Sequence, residues 1–238
     1  MKIYTYYEDI NFKVQNPLVN IWKKSWENQG FEAIVLGRAD AEEHDFYGEF
    51  VSRLEKLHLD IIEKPIQPYG MSCYLRWLAY ANTLDSNSFV SDYDVINVKL
   101  PSNQSLPNRL MFYDNCCPCF ASGTSKLFMQ FCFDILNISE RNLIDLKNKK
   151  IEPWYHDQEF IVNNENEFKN LDYVTMDNRD PMQRLIQQYE HKNPFIENNS
   201  KVLHFSHGSI GHAKENFPEL KDENSDELRV SLINDALK

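Results

Sequence analysis

The chain has 238 residues, of which 42% are hydrophobic, and it includes 15 Phe, 12 Tyr and 4 Trp. This supply of apolar side chains is enough for the core of one large domain and excludes a disordered or fibrous protein. Asp and Glu total 36 against 25 Lys and Arg, so the net charge is -11. A surface of this charge repels phosphate backbones, and we therefore expect no nucleic-acid partner.

The sequence contains no recognisable targeting or membrane-spanning segment. Its N-terminal residues lack the apolar core of a signal peptide, and no later run approaches the roughly 20 apolar residues that a spanning helix needs. We therefore expect a cytoplasmic protein without an integral membrane segment. In such a protein the odd number of cysteines, 5, favours reduced thiols over a disulfide framework.

One group of cysteines, Cys116-Cys117-Pro118-Cys119, has a spacing that zinc sites also use. A tetrahedral structural zinc site needs a second Cys or His pair, and none is evident nearby in the sequence. The favoured interpretation is therefore that these are small buried residues on a strand and its turn.

The beginning of the chain predicts a strand, a helix and a second strand. Residues 3–7 and 33–36 are short β-prone runs, and residues 17–29 between them carry apolar side chains three to four positions apart. This order predicts two parallel strands joined by a crossover helix, which is how an α/β sheet begins. Arg38 and Asp40 lie just beyond the carboxyl end of the second strand.

Further helices are predicted at residues 46–57, 72–84 and 124–136. The second of these has a broad apolar face with Arg76 in its middle. An Arg that does not face solvent there needs an anionic partner, and the alternative is a salt bridge on the helix surface. Short strands are predicted at residues 110–112, 119–121 and 202–205.

Two carboxylates follow another predicted strand, residues 89–91, in the segment Asp92-Tyr93-Asp94. Open α/β sheets bind their ligands at the carboxyl ends of the strands. Carboxylates at that position suit a hard divalent cation together with the oxygens of a diphosphate. The alternative is that this acidic pair merely solvates a turn.

No internal repeat and no long linker divides the chain. We expect one domain over residues 1–214, followed by a charged C-terminal tail, residues 215–238, that has room for a terminal helix around residues 227–237.

The order and spacing of these features, over most of residues 1–210, resemble the GT-A fold glycosyltransferases, which use nucleotide sugars and carry an Asp-x-Asp motif. The resemblance implies a fold class: α/β, a single Rossmann-like domain with a mixed, mostly parallel sheet flanked by helices. It also implies that Asp94 coordinates Mn2+ or Mg2+ and that Asp92 contacts the ribose or the metal.

The same resemblance assigns candidate residues to the nucleotide. Thr5 and Tyr6 on the first strand, with Arg38 or Asp40 after the second, would line the base and the ribose. Arg76 would face the diphosphate of the donor.

The late segment Val202-Leu203-His204-Phe205 resembles the C-terminal His-Phe or His-Tyr element of several of these families, in which the His completes the metal shell. A neutral imidazole suits Mn2+, and His207 is a competing ligand on the following turn. The alternative for either histidine is a hydrogen-bonded residue near a strand end.

The segment His156-Asp157-Gln158-Glu159 resembles the acidic or Asp-Gln element that these enzymes carry before a late helix, facing the acceptor. In an inverting enzyme one carboxylate takes the proton of the acceptor hydroxyl, with Asp157 as the first candidate and Glu159 as the second. In a retaining enzyme Asp157 would lie near the anomeric carbon instead. The structural alternative is that Asp157 caps the helix that follows.

The resemblance thus implies a metal-dependent glycosyltransferase that moves a hexose, deoxyhexose or pentose from a nucleotide-diphosphate donor, with a UDP-sugar favoured, to a glycan or another hydroxyl acceptor. Two alternatives use the same residues differently. One is a metal-dependent nucleotidyltransferase or phosphoesterase, and the other is a non-catalytic module that binds carbohydrate or a partner protein.

Overall fold

The computed structural model describes residues 1–10, 16–114, 117–149, 151, 155–175, 185–193 and 200–238. Cys116, one of the cysteines discussed above, lies outside the described residues. The strands are β1 (Lys2–Tyr6), β2 (Glu32–Leu36), β3 (Ser88–Ser91), β4 (Val95–Asn97), β5 (Leu110–Phe112), β6 (Phe120–Gly123), β7 (Val174–Thr175), β8 (Ile186–Gln188) and β9 (Val202–His204).

The described strands form two sheets, one of six strands in the order β2-β1-β3-β6-β5-β7 and one of three in the order β4-β9-β8. β1 is parallel to both β2 and β3, and β5 is parallel to β7, whereas β6 is antiparallel to its two neighbours. β2 and β3 lie on opposite sides of β1, so the strand order reverses there and a crevice opens at the carboxyl ends.

The helices of the described residues are α1 (Asn16–Glu27), α2 (Arg38–Glu42), α3 (Tyr47–Ile62), α4 (Pro68–Thr83), α5 (Ser125–Arg141), α6 (Leu143–Asn148), α7 (Asp157–Asn163), α8 (Glu165–Lys169), α9 (His207–Asn216) and α10 (Ser225–Ala236). They flank a mixed sheet, which confirms the predicted α/β fold class. None of these helices, in the part of the chain that the structure describes, is long and apolar enough to cross a membrane.

The large sheet separates two hydrophobic cores because successive side chains of a strand point to opposite faces. Tyr4 and Val90 join the core formed with α3, α4 and α5, whereas Ile3 and Phe89 join the core formed with α1 and the second sheet. All four residues are at most 2% exposed. The β-prone runs that correspond to β1 and β3 are therefore buried on both faces of the sheet, whereas β2 has Val35 exposed.

The C-terminal segment, expected to be a charged tail, contains helix α10, and one side of this helix is part of the second core. Leu228, Leu232 and Ile233 are buried there. Asn224 caps the helix by accepting hydrogen bonds from the first backbone N–H groups. Arg229 lies on the same buried side of the helix. It is 1% exposed and reaches the site described below.

Candidate active site

The acidic segment lies at the carboxyl end of β3, where the sequence places it. The backbone N–H of Asp92 donates to the carbonyl of Cys119 at 2.8 Å, and the carbonyl of Asp94 accepts from the N–H of Phe205 at 2.9 Å. β4 pairs with β9 in a register that sets Val95 opposite His204. Strand pairing therefore holds the histidine beside the acidic turn.

Three of the predicted metal ligands meet at this turn. One donor atom each from Asp92, Asp94 and His204 lie within 4.8 Å of one another. Oδ1 of Asp94 is buried and makes no hydrogen bond with any residue that the structure describes, although Nε2 of His204 lies 3.4 Å away. Two carboxylates and an imidazole are a donor set that Mn2+ accepts, and Mg2+ accepts the carboxylates. These residues thus fit a divalent cation.

Burial and mutual charge perturb all three groups. Burial raises the pKa of Asp92 to about 6, against the lowering effect of Arg76. Burial also acts to raise the pKa of Asp94, but the neighbouring His204, Arg229 and His207 together outweigh burial and lower that pKa. Burial lowers the pKa of His204, whereas the charge of the nearby Asp94 raises that pKa to about 9. Opposed shifts of this kind, in a crevice, are typical of functional sites.

Arg76 has the anionic partners that its position on an apolar helix requires. Its Nε and Nη2 donate to Oδ2 of Asp157 at 3.0 and 2.6 Å, and its Nη1 pairs with Asp92. Arg76 therefore connects the acidic turn after β3 with the start of α7.

Asp157, the first candidate for the catalytic base, is itself heavily engaged. Besides Arg76, its Oδ2 accepts from Nε1 of Trp77 at 2.7 Å, and its Oδ1 accepts from the backbone N–H of Gln158 at 2.9 Å. Burial raises the pKa of Asp157, but Arg76 and His156 lower it by more, so the carboxyl stays below its usual range. This geometry suits a carboxylate that positions Arg76.

Glu159, the second candidate, pairs with His156, the residue that caps the N-terminus of α7. Its Oε2 lies 2.9 Å from Nδ1 of His156, and Oδ1 of Asp157 lies 3.3 Å from the same nitrogen. Burial lowers the pKa of His156, but hydrogen bonds to the two carboxylates raise it to about 9. At neutral pH, His156 is therefore a cation held between two acids.

A cavity of about 110 Å3 opens between α4 and the acidic turn. The predicted residues that line it are Tyr6, Arg76, Asp92, Asp94 and His207.

The remaining nucleotide candidates, Thr5, Arg38 and Asp40, are not among the described residues that line this cavity. Thr5 is fully buried on the face of β1 opposite to Tyr6, and its Oγ1 has no hydrogen-bond partner among the described residues. Arg38 pairs with Glu8 at 3.3 Å, and Asp40 accepts the N–H of Gly37 at 2.7 Å within the first turn of α2.

Sequence reasoning missed one cation at the centre of the site, Arg229 on α10. Its Nη1 lies 3.7 Å from Oδ2 of Asp94, and its Nη2 lies 2.7 Å from Nδ1 of His207. Its Nε is buried and makes no hydrogen bond within the described part of the chain. The available signal was an Arg on the apolar side of an amphipathic helix. Tyr69 and Cys73, which also line the cavity, carried no comparable signal.

The fold and the site define a mixed α/β protein with two carboxylates and an imidazole clustered at the point where its strand order reverses. No protein-family model and no curated protein sequence matches the chain. Among solved structures, it is similar to the apo-form glycosyltransferase GlyE of Streptococcus pneumoniae TIGR4, at 14% sequence identity and a TM-score of 0.43. The match covers 100% of this chain and 64% of that chain, so this chain spans less than two thirds of that protein. It is therefore the geometry of the site that supports a function.

Proposed function

We propose that this chain is a glycosyltransferase that moves a sugar from a nucleotide-diphosphate donor, with a UDP-sugar favoured, to an acceptor hydroxyl, and that it requires Mn2+ or Mg2+. One observation carries the proposal. Asp92, Asp94 and His204 converge within 4.8 Å beside a cavity at the carboxyl ends of parallel strands, and one buried carboxylate oxygen there has no hydrogen-bond partner among the described residues.

The ion would be held by Asp94 and His204, with Asp92 beside them, and when bound it would neutralise charge on the leaving diphosphate. The chain's own cations would add to this effect. Arg229 brings a guanidinium to the same cavity, and its Nε makes no hydrogen bond with the described residues. Arg76 is fixed by Asp157 and in turn orients Asp92. Preorganised charges of this kind stabilise developing negative charge without reorganising.

For the proton of the acceptor hydroxyl we favour Glu159 over Asp157. A base must have a free lone pair within reach of the proton. The side chain of Glu159 is 26% exposed, whereas that of Asp157 is 2% exposed. The oxygens of Asp157 already accept from Arg76, Trp77 and a backbone N–H, and its pKa is lowered. Asp157 then acts by positioning Arg76.

The experiment that tests the proposal is calorimetric titration with UDP and GDP, each with and without Mn2+, on the wild type and on Asp94→Asn. We expect binding that depends on the metal and is lost in the variant. Asp85→Asn is the control, because Asp85 is an exposed partner of Lys2. A failure of both nucleotides to bind under every condition would refute the donor site and favour the non-catalytic module.

Binding would direct the next experiment to a panel of nucleotide sugars. Release of the nucleoside diphosphate upon addition of an acceptor would support a transferase. Turnover of nucleoside triphosphates or phosphodiesters without any sugar acceptor would overturn it in favour of a nucleotidyltransferase or phosphoesterase.

A further inference from the structure

A second cluster of ligand-type side chains shares His204 with the acidic site. The sulfur atoms of Cys117 and Cys119 and a ring nitrogen of His204 lie within 4.8 Å of one another. Cys119 and His204 are buried, whereas Cys117 is half-buried. The two cysteines lie between β5 and β6. The sequence shows no His or second Cys pair near them, but in the fold β9 brings His204 beside them.

Backbone and side-chain contacts hold the cluster together. The carbonyl of Cys119 accepts the N–H of Asp92, which fixes this cysteine to the acidic turn. The N–H of Cys117 donates to Oδ1 of Asp114 at 3.3 Å. Nε2 of Gln188 donates to Oδ2 of Asp114 at 3.1 Å and lies 2.7 Å from Nδ1 of His204. Three elements therefore hold the two sulfurs and the imidazole near one point.

This donor set differs chemically from the neighbouring one. Thiolates select Zn2+ and other soft cations, whereas Mg2+ and Mn2+ prefer carboxylate oxygens. Three protein ligands with an open fourth position are an arrangement that zinc enzymes use. Burial raises the pKa of the Cys119 thiol, which makes that thiol a poor nucleophile. The surroundings of Cys119 thus do not favour a reactive or catalytic role for this cysteine.

We propose that Cys117, Cys119 and His204 form a binding site for Zn2+. Each thiol gives its proton to solvent as a zinc–sulfur bond forms. Because His204 also belongs to the proposed donor site, zinc bound here withdraws the imidazole from Asp94 and inhibits nucleotide binding. This inhibitory consequence rests on the proposed function, whereas zinc binding itself does not.

Cobalt is the spectroscopic probe for this site. The full chain, reduced and freed of metal with a chelator, is titrated with Co2+, and thiolate-to-cobalt charge-transfer absorption is recorded in the near ultraviolet. We expect a saturable band that Zn2+ abolishes by displacement. Cys117→Ala should weaken the band by removing one thiolate, and because this residue is half-buried the variant should fold. Adding Cys119→Ala should abolish it.

A cysteine variant elsewhere is the control. Cys132→Ala changes a thiol buried in the core formed with α3, α4 and α5, whereas Cys119 belongs to the other core, so this variant should keep the cobalt band. No band in the wild type, or a band that Cys117→Ala leaves unchanged, would overturn the proposal.

The inhibitory consequence has its own measurement. Zinc should weaken binding of UDP with Mn2+ by at least tenfold in the wild type and much less in Cys117→Ala, by competition for a shared ligand. If the cobalt band appears but the chain binds no nucleotide, the zinc site stands and the proposed function fails. If the band appears and zinc leaves nucleotide binding unchanged, the shared use of His204 is refuted.

Discussion

Arg76 and Asp157 form an ion pair that the fold buries almost completely, with side chains 11% and 2% exposed. Removing one partner of such a pair leaves a buried charge uncompensated, which costs about 3–5 kcal/mol. We therefore expect Asp157→Asn to lower the free energy of unfolding by that amount. Chemical denaturation followed by circular dichroism measures it.

The control for this variant is Asp85→Asn at the exposed pair with Lys2, where side chains are 60% and 31% exposed. An exposed pair contributes about 0–1 kcal/mol, so little change in stability is expected. An Asp157→Asn variant that keeps wild-type stability but loses only turnover would contradict the positioning role and restore Asp157 as the base.

Cation affinity at the acidic site should depend on pH through His204. Burial lowers the pKa of this residue, but Asp94 raises it to about 9, so the imidazole must lose a proton to bind a metal. Between the pKa values of Asp92, about 6, and His204, about 9, Mn2+ affinity should rise with pH. One competing proton makes the slope about tenfold per pH unit. Calorimetry at several pH values measures it.

His204→Gln tests the origin of that slope, since glutamine does not titrate. We expect weaker binding that no longer varies with pH in this range, whereas a persistent slope would assign the proton to another group. Without a bound cation, the free energy of unfolding should depend on pH in the opposite direction and fall as pH rises. The contribution of the imidazolium is complete below its ordinary pKa of 6.5 and is lost as pH rises through about 9.

Arg229 should contribute to binding of the diphosphate but not of the nucleoside. A hydrogen bond to a charged group contributes about 1.5–3 kcal/mol, so Arg229→Gln should weaken UDP binding by about tenfold or more. Binding of uridine, which has no phosphate, should not change. Arg229→Lys keeps the charge and should restore part of the loss. Equal losses for UDP and uridine would show that Arg229 acts only through packing of α10.

Helix α10 should stabilise the domain as part of its core. Leu232 is 3% exposed in the second core, and Leu→Ala at such positions costs about 2–5 kcal/mol. Leu232→Ala should therefore lower the midpoint of chemical denaturation clearly. Leu237, just beyond the helix, is 40% exposed, and Leu237→Ala should stay within about 0.5 kcal/mol of wild type. Equal effects of the two variants would contradict core packing of this helix.

Part of the site could be predicted because it depends on local pattern. The β-prone run before Asp92-Tyr93-Asp94 corresponds to β3, and the acidic segment lies at its carboxyl end. The apolar face around Arg76 left two alternatives, an anionic partner inside the fold or a salt bridge on the helix surface. The structure has the first, with Asp92 and Asp157 as the partners.

Other members of the site could not be predicted in the same way. Arg229 looked like one more charge in a charged terminal segment, and only the docking of α10 carries it to Asp94. Cys117 and Cys119 lacked a partner within their own loop, and the pairing of β9 with β4 supplies His204.

The sequence by itself determined the parallel strand pair that begins an α/β sheet, the strand that ends in the acidic segment and the place of Arg76 within an apolar helix. Those properties follow from the alternation and periodicity of apolar side chains over a few residues. Only the tertiary structure decided that Asp94, His204, Cys119 and Arg229 lie around one point. They come from elements distant in the chain, and such elements meet through strand register and core packing, which local periodicity does not encode.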